Sequence, residues 1–225
     1  MRNRVRAAVH LFALTGEARY RDAIDDFGAS QPHALTLGEA LVWEQPLVTA
    51  LLEYSDLPGA TASVADTWRQ QFVATVNGPA WLTPVLAERD AYRAWLPGPY
   101  TSWGSTRVRA MGALLRLDLL RFDLAPEAAE TQRAAAEGVL HSFHGVNPPG
   151  LTYLTNMAPF GSRASVAHTF HAWFAGAGCP PPPSYLTGGA NQHDKPDPSA
   201  DASRLTTPLN QPVLKSYRDW NSGWP

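Results

Sequence analysis

Charge is scarce in this chain. Of 225 residues only 17% are Asp, Glu, Lys or Arg, 20 acidic against 18 basic, for a formal net charge of -2. A nucleic-acid surface needs clustered Lys and Arg to neutralise phosphates, and no such cluster is present. Cysteine is nearly absent: Cys179 alone excludes an internal disulfide, and its four following prolines offer nothing to lower its pKa. No apolar run approaches the ~20 residues that a membrane span needs. Period-two alternation is rare, which argues against sheets. The G-x-S-x-G elbow of a serine nucleophile and the phosphate-cradling P-loop are both missing. Arg2, Arg4 and Arg6 precede an apolar stretch in MRNRVRAAVHLFAL. That stretch is short, contains His10 and runs into Thr15-Gly16-Glu17 without a small-residue cleavage site, so it reads as an amphipathic helix and not a signal peptide.

What is abundant is apolar and helical. Hydrophobic residues make up 44% of the chain, and the length suits one domain, or most of one, with a real core. Val5, Val9 and Phe12 recur at helical spacing before Gly16, a C-terminal stop. Tyr20, Ile24 and Phe27 repeat the pattern. Leu37, Leu41 and Val42 begin a third helix that Pro46 kinks or breaks. Trp68, Phe72, Val73 and Val76 mark a fourth, ended by Asn77-Gly78. Val108, Met111, Leu115, Leu119 and Phe122 mark a fifth, and Pro126 opens a sixth that runs to about His144. The pattern predicts an all-α protein of paired helices.

The last third differs. Twelve of the 20 prolines lie from Pro148 onward, which nearly excludes long helices there. Yet Tyr153, Phe160, Phe170, Trp173, Phe174, Tyr185, Trp220 and Trp224 make it rich in rings, which a disordered tail would not carry. Long ordered loops with aromatics usually line a binding face. Gln192 to Ser203 is polar and is expected to be a mobile excursion.

Few constellations carry chemistry. His141 with His144, and His168 with His171, have the i, i+3 spacing that suits zinc on one helix face, but neither pair has an evident Cys or carboxylate partner. Asp22, Asp25, Asp26, Glu127 and Glu130 read as solvated helix faces. Asp219 stands apart, between Tyr217 and Trp220, where neighbouring rings can raise a carboxyl pKa or leave it to bond a sugar.

Four stretches, in order, resemble glycoside hydrolase family 9. HGVNPPGLTYLTNM (His144 to Met157) is similar to that family's H-G-x-N-P-x-G-x-[ST]-[YF]-[VL]-T loop. PSYLTGGAN (Pro183 to Asn191) resembles its P-G-x-L-x-G-G-P-N loop, and YTSWGST (Tyr100 to Thr106) its Y-x-W-G-S-N stretch. KSYRDWNSGWP (Lys215 to Pro225) resembles the approach to its acid-bearing motif. Ala158 stands where the family commonly has glycine, and Ala172-Trp173 after His171 depart from its usual H-x-R toward a branch with H-x-W-F. That branch includes exo-acting enzymes on glucose or glucosamine chains, such as exo-β-glucosaminidases, and it often has a carboxylate where this chain has His168.

The resemblance implies an (α/α)6 barrel, incomplete here, whose loops form a cleft for a β-1,4-glucan such as cellulose. It implies hydrolysis with inversion and no organic cofactor; a structural calcium is allowed, with no ligand set identified. His171 would donate to a sugar hydroxyl and Trp103 would stack on a ring. Asn147 would brace the loop, with Tyr153 and Asn191 also among the substrate-binding residues. Asp219 would position the acid. Pro148 and Pro149 fix φ, Gly145 and Gly150 permit turns, and Asn147 can bond backbone groups that no helix satisfies.

Inversion needs two carboxyls roughly 6.5–9.5 Å apart. The family's Asp-Ala-Gly-Asp base stretch has no counterpart: Asp22-Ala23-Ile24-Asp25-Asp26 lacks the glycine, and the chain stops short of the acid Glu. Residues 1–225 therefore read as a partial catalytic domain of a longer, secreted or periplasmic parent, inactive alone and missing the rest of its chain as a partner. An incomplete ring would leave Val5, Val9 and Phe12 facing water. The alternative is a non-catalytic carbohydrate-binding or helical scaffold protein.

Overall fold

Glycine and proline set where the helices of this chain begin and end. The computed structural model describes residues 2–36, 38–87, 90–93, 104–168, 180–190, 212–215 and 217. Helix α1 (Arg2–Thr15) stops at Gly16, whose φ of 67° lets its N–H return to Phe12 O at 2.8 Å. α2 spans Ala18–Ser30, α3 Gly38–Trp43 and α4 Gln45–Ser55. α3 ends at Trp43, so the helix breaks before Pro46, as the pattern allows, and Pro46 does not kink one long helix. It lies in the first turn of α4, where a missing N–H costs no helical hydrogen bond. Leu37, expected to begin the third helix, lies outside the described residues.

α5 (Ala62–Val76) ends at Asn77-Gly78, as its pattern predicts, but Pro79 then opens α6 (Pro79–Leu86), which apolar spacing alone does not announce. α7 covers Ser105–Arg121, and Pro126–Ala128 form a 3₁₀ turn that leads into α8 (Ala129–Phe143). After α8 the described residues hold short 3₁₀ turns and isolated bridges and no β-strand. They contain no helix long and apolar enough to cross a membrane.

The chain divides into two compact units. Unit 1 is Met1–Arg89 with Met111–Ala136, and unit 2 is Asp90–Ala110 with Glu137–Pro225. In unit 1, α1 packs on α2 and α4, α4 on α5, and α5 on α6. The stripe expected to face water on α1 is instead core: Val5, Val9 and Phe12 are buried, because that face meets α2 and α4. The apolar side chains left partly open lie elsewhere, at Leu11 and Leu14 on the far side of α1 and at Leu114 and Leu117 on α7. Trp68 and Tyr54 meet edge to face at 5.8 Å in the middle of this core. Each large side chain buried there stabilises the unit by about 1.5–3 kcal/mol.

Polar side chains inside unit 1 close the backbone accounts that the helices leave open. Arg116 is fully buried, with no carboxylate partner among the described residues. It donates to Gln132 Oε1 at 2.5 Å and to Trp81 O at 3.1 Å, and its guanidinium lies 5.4 Å from the Trp81 ring centre. Burial lowers its pKa to about 10. Gln132 passes the network on to Asn77 Oδ1 and Val76 O at the end of α5, where helical carbonyls have no helical donor.

Asp25, expected on a solvated face, accepts from Tyr54 Oη at 2.9 Å and Thr61 Oγ1 at 2.6 Å, tying α2 to the start of α5. Asp118 is buried and accepts from Thr49 Oγ1 and Gln45 Nε2. Burial pushes its carboxyl above the ordinary carboxylate value, against the bonds from Thr49 and Gln45.

Candidate functional site

The four last carbonyls of α8 have no helical partner, and the loop after it supplies one for each. His144, with its proton on Nδ1, serves Leu140 O at 2.9 Å. The N–H groups of His144 and Val146 serve His141 O at 3.0 and 3.1 Å. Asn147 Nδ2 donates to Ser142 O at 2.5 Å, and Tyr153 N–H to Phe143 O at 2.8 Å. Asn147 also spans its own turn, donating to Leu151 O at 2.7 Å and accepting from Leu151 N–H at 3.1 Å. Gly145 and Gly150 take φ of 107° and 68°, which lets the chain fold back over so few residues. The loop is a rigid helix cap with Asn147 as its centre.

Two further segments join this cap. Tyr153 O accepts from both Thr187 N–H and Thr187 Oγ1, at 2.9 and 3.1 Å. The carbonyls of the proline run, which has no N–H of its own, are served by Thr155 Oγ1 on Pro182 at 2.6 Å and by Asn156 Nδ2 on Pro181. The Thr187-Gly188 carbonyls in turn accept from the Thr106 hydroxyl and N–H in the first turn of α7, where helical donors are orphaned. Gly189, at φ 79°, lies so close that a Cβ there would stand 2.7 Å from Ser105 Oγ.

These segments enclose a cavity of about 20 Å³ lined by Ser105, Thr106, Arg109, Asn147, Tyr153 and Leu214, among others. That volume holds about one water. It is far below the roughly 300 Å³ of a small-molecule pocket, and no described carboxylate lines it. Tyr153 is buried; its ring meets Tyr217 edge to face at 4.9 Å. Burial pushes the Tyr153 phenol up to about 12, with Arg109 opposing, so it stays neutral at physiological pH. Burial lowers the Arg109 guanidinium, against Asp90 and Tyr153. A larger cavity of about 350 Å³ in unit 1, walled by Phe27, Leu35, Leu47 and the Arg2–Glu44 pair, is remote in sequence from every predicted site residue.

Of the predicted site residues, the structure brings together Asn147 and Tyr153. Trp103, His171, Asn191 and Asp219 lie outside the described residues, as does the Gln192–Ser203 stretch. Tyr153 does not present an open ring to a ligand: it is covered by Tyr217 and supports the loop from beneath. Among the described residues no group of three His, Cys, Asp or Glu side chains could hold a metal ion, so no chemistry is assigned to the calcium that the resemblance allows. Sequence reasoning missed Arg109.

No protein-family model matches the chain, and no curated protein does. Solved structures do. The fold is that of a part of the helical (α/α)6 barrel, and three of the structures that share it are glycoside hydrolase family 9 endoglucanases. One is "GH family 9 endoglucanase J30", at TM-score 0.65 and 21% identity over 95% of this chain and 36% of that one. A zinc-binding triple mutant of the same endoglucanase matches at 0.67 and 20%, again over 95% and 36%. A metagenome-derived glycoside hydrolase family 9 endoglucanase matches at 0.67 and 21%, over 95% and 34%. At these identities the likeness is one of fold. The chain spans about a third of the length of each.

Proposed function

We propose that this chain is part of a catalytic domain of a cellulase-like glycoside hydrolase whose parent cleaves β-1,4-glucosidic bonds with inversion, outside the cytoplasm. The observation that carries this reading is the fold likeness to endoglucanases over 95% of the chain. The four ordered motif stretches support it independently, as does the rigid cap around Asn147 that those stretches build. In this reading Trp103, His171 and Asn191 meet the sugar, Asn147 and Tyr153 hold the loops that carry them, and Asp219 positions the acid. The substrate is a chain of glucose or, by the H-x-W-F stretch, glucosamine units.

A second reading has its own support. No described carboxylate lines the cavity beside Asn147, so the described residues there supply neither half of an inverting pair, as in a chain that binds glucan without cleaving it. General acid and base catalysis contribute roughly 10²–10⁴-fold each, so a chain lacking both would be near background. The test is residues 1–225 assayed on soluble β-glucan by reducing-end release, beside affinity electrophoresis in a β-glucan gel. Retarded migration without turnover is expected. Turnover would overturn the partial-domain reading, and unretarded migration would overturn glucan recognition by this chain.

A further inference from the structure

Pro212–Lys215 and Tyr217 reach the candidate site at two points. Leu214 lines the same small cavity as Arg109 and Asn147. Three residues on, Tyr217 sets its ring against Tyr153 at 4.9 Å and 80°. Around Leu214, Val213–Lys215 form a 3₁₀ turn closed by Lys215 N–H on Pro212 O at 2.7 Å. Tyr153 is itself immobilised, since its N–H serves Phe143 O at the end of α8 and its carbonyl takes two bonds from Thr187. Its ring therefore offers a fixed surface, while Lys215 on the strap's outer side is exposed.

We propose that Pro212–Lys215 with Tyr217 are a strap anchored by Leu214 in the cavity and by Tyr217 on Tyr153, and that Leu214 and Tyr217 are positioning residues for the loop of Asn147 and Tyr153. The positioning role rests on the function proposed above; the strap itself does not. An edge-to-face pair beyond its simple burial slows release of such a segment by about two- to ten-fold.

Trypsin reads the strap directly, because Lys215 lies inside it and cleavage tracks the open fraction when reclosing is fast. In the full chain, Tyr217→Ala and Leu214→Ala are expected to speed cleavage after Lys215 about two- to ten-fold while sites in unit 1 keep their rates. Wild-type cleavage in Tyr217→Ala overturns the strap. Should Tyr217→Ala loosen every site, Leu214→Ala decides: a selective gain at Lys215 supports the strap and no gain overturns it. Retardation in a β-glucan gel then tests positioning. Tyr217→Ala is expected to bind about two- to ten-fold more weakly, and unchanged binding with a loosened strap overturns that role. A wild type that binds no β-glucan overturns the function and the positioning role together, with trypsin still deciding the strap.

Discussion

In unit 1 a helix such as α4 buries Leu47, Val48, Leu51, Leu52 and Tyr54; in unit 2 the loop from His144 to Met157 buries Asn147, Thr152, Tyr153 and Thr155. The contrast follows from the backbone. A helix satisfies its own N–H and C=O groups, so its buried side chains are free to be apolar. A loop cannot, so the side chains it buries must bring donors and acceptors with them. Unit 1 is accordingly stabilised mostly by area removed from water, and the loop cluster of unit 2 by hydrogen bonds whose loss leaves a buried group unpaired.

The most severe way to break this comparison is from the unit 1 side. Trp68→Ala removes the side chain that packs on Tyr54 and against Gly28, and should cost about 3–5 kcal/mol, read as a fall in the urea midpoint with circular dichroism. From the unit 2 side, Asn147→Ala strips partners from Ser142 O and from both main-chain groups of Leu151, and should cost about 2–3 kcal/mol. The two losses should differ in kind. Hydrogen exchange at the Leu151 amide should accelerate in Asn147→Ala while amides of α4 and α5 stay protected; equal acceleration in both would mean that the cap and the helices open together.

The gentlest test sharpens the comparison within unit 1. Burial holds the Asp118 carboxyl above its ordinary 3.8, so on raising the pH the unfolded chain loses this proton first. The stability that Asp118 contributes is therefore greatest below the unfolded value, falls as pH climbs from there through the raised folded value, and is flat above it. Asp118→Asn keeps an acceptor for Thr49 and cannot ionise. Its stability relative to wild type should rise across that window, measured as urea midpoints from pH 3 upward; a pH-independent difference would sink this account.

Much of unit 1 is legible from spacing alone. Val5, Val9 and Phe12, or Trp68, Phe72 and Val76, point to one face because a helix repeats every 3.6 residues, and Gly16 and Asn77-Gly78 stop their helices for conformational reasons written in the residue itself. What that face meets is not local, which is why the stripe expected to face water turned out to be core. α6 was hidden because PAWLTPVL carries two prolines; Pro79 sits in the first turn and Pro84 is tolerated inside. Asp25 looked like surface because its partners, Tyr54 and Thr61, lie about 30 residues away in sequence. In the candidate site, the part of Asn147 as a backbone partner was readable from the loop's excess of turn residues. Arg109 and Leu214 were not, since each matters only through what folds against it.

Gly138 carries a consequence for how the chain tolerates change. It lies within α8, where any Cβ would overlap the carbonyl oxygen of Arg93, an atom that cannot swing aside as a side-chain tip could. Its neighbour Glu137 points to solvent. Every single-nucleotide missense change of a glycine codon adds a Cβ, so drift at codon 138 has no small first step, whereas codon 137 has many. A population of variants would leave the helix looking permissive on one side of its axis and frozen at a single position on the other, the imprint of one backbone pressed against another.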